Sequence, residues 1–125
     1  MILITGGMYQ GKRDFAAAEF GLTDADFRDA GGEAALDFNG RAIDHLEQFV
    51  LACTRAGVSA QEYLKEHEEE LADQILIAAD ITQGVVPMDP VERAWREETG
   101  RCLVWLAQRS ERVFRVFCGI PQQVK

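Results

Sequence analysis

Apolar residues fall along the chain in short blocks separated by helical stretches. Ile2-Leu3-Ile4-Thr5 is an apolar run that ends in two glycines, as a central strand buried on both faces would. From Gly11 to about Phe20 the pattern predicts a helix, with Phe15, Ala16, Ala17 and Ala18 supplying apolar surface. Residues 21–32 mix acids with Phe27 and predict irregular structure. Ala34-Ala35-Leu36-Asp37-Phe38 predicts a second strand, closed by an Asn39-Gly40 turn. Arg41 to about Ala56 predicts a helix on the spacing of Ile43, Leu46, Phe49, Val50 and Cys53, stopped by Gly57. Ser59-Ala60-Gln61-Glu62 is a capping box, opening a helix to about Asp73. Ile75-Leu76-Ile77-Ala78-Ala79 predicts a third strand. Asp89-Pro90-Val91-Glu92 combines an N-cap, a proline at the first helical position and a box glutamate, so a helix runs from there to about Ser110. A fourth strand is expected over 113–118. Strands alternating with helices imply one α/β domain over residues 1–125, with a mainly parallel sheet between helical layers.

Composition narrows the partners. A length of 125 residues with 47% hydrophobic content suits one core. The formal net charge of -8, from 13 basic and 21 acidic residues, disfavours nucleic acid and anionic lipid, leaving room only for a local basic site. No apolar run reaches the ~20 residues of a membrane span, and the first residues lack the basic leader of a signal peptide, so a cytoplasmic location is expected. Cys53, Cys102 and Cys118 show no CxxC pairing and read as reduced thiols.

The chemistry concentrates at Gly6-Gly7-Met8-Tyr9-Gln10-Gly11-Lys12, which fits GxxxxGK between a predicted strand and a predicted helix. The glycines let backbone amides turn inward around an anion, and the helix adds its positive end. Lys12 would reach terminal phosphates. This points to a P-loop NTPase-like fold binding a nucleotide, ATP or GTP, or phosphate itself. The next position departs from the motif: Arg13 stands where a Ser or Thr hydroxyl ligates Mg²⁺. An arginine cannot ligate a metal, which weakens the case for Mg²⁺ beside the ATP or GTP without removing it. Arg13 would instead contact phosphate directly or pair with Asp14.

Three further segments carry a resemblance: Gly84-Val85-Val86-Pro87-Met88, then Arg93-Ala94-Trp95-Arg96-Glu97-Glu98-Thr99-Gly100-Arg101, then Phe117-Cys118-Gly119-Ile120-Pro121 through Lys125. With the glycine-rich opening they resemble the bifunctional adenosylcobinamide kinase / adenosylcobinamide-phosphate guanylyltransferase family of cobalamin biosynthesis. That family has G-I-V-P, an R-x-F-R-D-x-x-G-R-type helix and a terminal G-I-P or G-L-P, and opens with G-G-A-R-S-G-K-S-R. The likeness is clear over residues 1–20 and 75–125 and loose between them.

The resemblance implies a P-loop fold, nucleotide and corrinoid ligands, and a homo-oligomer, since the family often forms trimers. It implies that Asp37 matches the family's acidic residue after a strand, and that Asp80 stands in for the glutamate of its S-N-E-V-G segment. Lys12, Asp37 and Asp80 are thus the candidate catalytic groups, with residues 6–13 as the phosphate site and no metal ligand assigned. The family's H-x-x-R-R-type segment, which carries its guanylyl-accepting histidine, has no counterpart. His45 and His67 read as helix-surface residues, so guanylyl transfer is expected to be lost. Two functions stay open: a reduced kinase or nucleotidyltransferase, and a non-catalytic relative serving as nucleotide sensor, corrinoid-binding module or assembly partner.

Overall fold

The computed structural model describes residues 1–82 and 89–125. The Gly84–Met88 segment of the resemblance lies outside the described residues. Strand β1 (Ile2–Gly6) leads into helix α1 (Lys12–Phe20), then a short 3-10 turn (Asp24–Asp26), strands β2 (Phe27–Asp29) and β3 (Ala42–Asp44), and helix α2 (Leu46–Ala56). Helices α3 (Ala60–Glu66) and α4 (Glu68–Leu71) precede strand β4 (Ile75–Ala79). Helix α5 (Pro90–Arg109) and strands β5 (Arg112–Phe117) and β6 (Ile120–Gln123) follow. The sheet order is β2-β3-β4-β1-β5-β6, parallel throughout except for the β5–β6 hairpin. The architecture is therefore α/β, with a mainly parallel sheet between helices, consistent with a P-loop-like three-layer fold.

Alternation along each strand divides the core between two faces. Leu3, Ile43, Leu76 and Val113 point to the side covered by α2, α3 and α5, where Phe49, Leu64 and Leu106 are fully buried. Ile4, Ile77, Phe114 and Val116 point to the side covered by α1, against Ala16 and Phe15. Both faces of β1 and β4 are thus apolar, which explains their unbroken hydrophobic runs. No helix among the described residues is long and apolar enough to cross a membrane.

The middle of the chain departs from expectation. Residues 34–38 form no strand. Their polar groups go to side chains instead: Leu36 N–H donates to the Tyr63 hydroxyl (2.9 Å), Asn39 N–H to Asp37 Oδ1 (2.8 Å), and Gln74 Nε2 to the carbonyls of Phe38 (3.2 Å) and Gly40 (3.0 Å). The strands lie on either side, at 27–29, within the stretch expected to be irregular, and at 42–44, where a helix was expected to begin. Ala42 and Ile43 pair with Ile75 and Leu76, and α2 starts only after His45, whose φ of 57° breaks the chain direction. The helix expected to run to Asp73 is broken at His67.

Candidate functional site

The loop between β1 and α1 is shaped by close backbone approaches. A Cβ at Gly6 would run into the carbonyl oxygen of Val116 on β5, so this position admits only hydrogen. The Gly6 carbonyl accepts the Asp80 N–H at 2.8 Å, tying the loop's start to the end of β4. Tyr9 and Gly11 take positive φ, 59° and 88°, which turn the chain back into α1. Lys12 opens that helix, and its Nζ donates to the Gly7 carbonyl at 2.6 Å. Burial holds the Lys12 amine below the usual lysine range, while the charges of Glu47 and Asp44 pull it back up.

These two acids mark the other wall. Asp44 ends β3 and Glu47 sits in the first turn of α2; both are buried. Glu47 Oε1 accepts the Ala79 N–H at 2.8 Å, which fixes the carboxylate on the end of β4, and the Glu47 backbone carbonyl accepts Trp95 Nε1–H at 2.7 Å, which ties its backbone to α5. Asp44 Oδ1 accepts the His45 N–H at 2.8 Å. Its Oδ2 faces Arg13 Nη1 at 3.5 Å. The Arg13 guanidinium also reaches Asp24 Oδ1 at 3.3 Å and lies 3.9 Å over the Phe27 ring. His45 Nδ1 lies 3.4 Å from Asp29 Oδ1 and 3.8 Å from Asp44 Oδ2. Residues 8–14, Asp44, His45, Glu47 and Ala79 line a cavity of about 270 Å³.

A phosphate loop of this kind ordinarily works with Mg²⁺, held by the hydroxyl after the lysine and by an acid at a strand end. The residues here do not fit that ion. Position 13 offers a cation, and that cation points at the one strand-end acid lining the cavity.

The cavity brings together Met8, Tyr9, Gln10, Gly11, Lys12 and Arg13. Asp37 is elsewhere, on the 30–41 loop, with Oδ2 3.3 Å from Arg28 Nε, because the strand that would have carried it is absent. Asp80 follows β4, but its carboxylate turns back to accept the Thr82 N–H at 3.0 Å and lines a separate groove of about 990 Å³ along α5. His45 is exposed, as expected, but stands at the N-cap of α2 rather than within the helix, and lines the cavity beside the loop. Asp44 and Glu47 were missed from sequence. The signal was an acid directly after the apolar pair Ala42-Ile43, hidden inside what read as a helix.

Comparison with known families gives one match. The model of the family described as cobinamide kinase / cobinamide phosphate guanyltransferase matches residues 40–124. It spans the middle of the chain, where the resemblance was loose, as well as the end. No curated protein matches the chain.

Proposed function

The chain belongs to the cobinamide kinase / cobinamide phosphate guanyltransferase family, and on that premise we propose that it binds the phosphates of ATP or GTP, or phosphate itself, without Mg²⁺. In this reading the amides of residues 7–12 and the positive end of α1 surround the anion, and Lys12 exchanges its bond to the Gly7 carbonyl for one to phosphate. Asp44, rather than Asp37, is the acid beside the phosphates. Arg13 stands on it as a built-in counter-ion. Asp80 anchors the loop through its backbone, with its carboxylate toward the α5 groove. A corrinoid second ligand and self-association belong to the same reading, as the resemblance implies.

The observation that carries the proposal is the Arg13–Asp44 pair at 3.5 Å. A divalent ion on Asp44 would have to displace a guanidinium or stand beside it. At ~6 Å and an effective dielectric near 20, each unit of charge on the ion costs about 3 kcal/mol against that neighbour before salt screening. The same pair favours the non-catalytic relative over the reduced kinase, because phosphoryl transfer by this kind of loop depends on the metal to neutralise developing charge.

Calorimetric titration with ATP and with GTP, in Mg²⁺ and in a chelator, tests this. The native chain should bind with the same affinity in both media. Arg13→Ser should gain about tenfold in Mg²⁺ only, roughly 1.4 kcal/mol. A native affinity that rises steeply with Mg²⁺ overturns the proposal. Loss of affinity by Arg13→Ser in both media makes Arg13 a direct phosphate ligand instead.

A further inference from the structure

We propose that Gln10 is a positioning residue, latching the phosphate loop to the turn of the β5–β6 hairpin. Three contacts converge there. The Gln10 side-chain oxygen accepts the Cys118 N–H at 2.6 Å. The Gln10 carbonyl accepts the Gly119 N–H at 2.8 Å. A Cβ on Gly11 would come within 3.3 Å of the Gly119 Cα, so the two backbones touch. Cys118 and Gly119 both hold positive φ, 50° and 75°, which aims two successive N–H groups at one residue of the loop.

The consequence for binding follows from what the loop does. An anion cradle works when its amides converge before the ligand arrives, because ordering them afterwards subtracts from affinity. Gln10 lies between Tyr9 and Gly11, the two residues of the loop with left-handed backbone angles. A residue at that point, held through both its carbonyl and its side chain, fixes the backbone turn between the two left-handed positions. The hairpin is itself held to the sheet by the β5–β1 register, in which Gly6 pairs with Val116. Gln10 therefore transmits the rigidity of the sheet to the far side of the loop, as Gly6 does to the near side.

The proposal deepens the phosphate-binding reading, and its test separates the two. Gln10→Met keeps length and removes the acceptor; Gln10→Glu keeps an acceptor oxygen. Hydrogen exchange at amides 7–12 without nucleotide should speed up at least tenfold in Gln10→Met and stay near native in Gln10→Glu, with thermal midpoints unchanged in both. ATP titration should show Gln10→Met binding about tenfold more weakly than native. Native-like exchange in Gln10→Met, or equal acceleration in both variants, overturns the latch. A native chain that fails to bind ATP removes the phosphate-binding reading, and the exchange data still decide the latch.

Discussion

Lys12 serves its site at a cost to the fold. Burial lowers its pKa in the folded chain, so the charged amine is disfavoured there relative to the unfolded chain. The sign follows: at neutral pH the charged lysine subtracts from stability, and the loss fades as pH rises above its folded pKa. A bound phosphate would reverse the balance by supplying an opposite charge. Lys12→Met should therefore melt no lower than the native chain, while its affinity for ATP falls at least tenfold. Differential scanning fluorimetry without ligand and over a series of ATP concentrations checks both halves. A midpoint several degrees lower would mean that the bond to the Gly7 carbonyl is a structural prop. The place of Lys12 at the start of α1 was legible in the sequence because a fixed spacing between two glycines and a lysine has a direct geometric meaning. Asp44 was not, because an acid after two apolar residues carries no such meaning until the strand is placed.

At the level of elements, legibility followed length and capping. β1, β4 and α5 were read nearly to the residue. β1 and β4 are unbroken apolar runs with polar residues or glycines at their ends, and α5 announces itself with Asp89 and Pro90. Asp89 Oδ1 accepts the Val91 N–H at 2.9 Å, satisfying an amide that the helix cannot. Asp89→Ala should cost about 1 kcal/mol, lowering the thermal midpoint by roughly 3–5 °C in a chain of this size. An unchanged midpoint would mean that water caps the helix as well. The three-residue strands β2 and β3 were unreadable for a different reason. Ile43 lies in helical register with Leu46, Phe49 and Val50, so the period of α2 runs backwards through β3. Only pairing with Ile75 and Leu76, more than 30 residues away, decides the matter. β6 gave no signal because all four of its residues are exposed, and it is held by backbone pairing alone.

For the molecule as a whole, two core thiols oppose folding at alkaline pH. Burial and the nearby Glu98 charge push Cys53 up to about 11 and Cys102 to about 12, from an ordinary thiol value of 9.0. Both thiols are held neutral by the fold, so their contribution is complete below about pH 9 and is lost as pH rises through 11 and 12. Urea midpoints should hold level from pH 7 to 8.5 and fall steeply above 10. In Cys102→Ala the alkaline fall should be shallower, even though the variant starts lower for want of packing. An identical slope in the variant would move the cause elsewhere. The arrangement of the sheet has its own consequence in the cell. β1 lies between β4 and β5, whose residues begin 70 and more positions later. At ~5–20 residues per second, the ribosome needs on the order of ten seconds to go from Ile4 to Phe117. Until β4 is made, the most hydrophobic strand of the N-terminal half has neither neighbour in reach, and from then until β5 is made it has one. Ile2-Leu3-Ile4 therefore stays partly uncovered until β5 emerges.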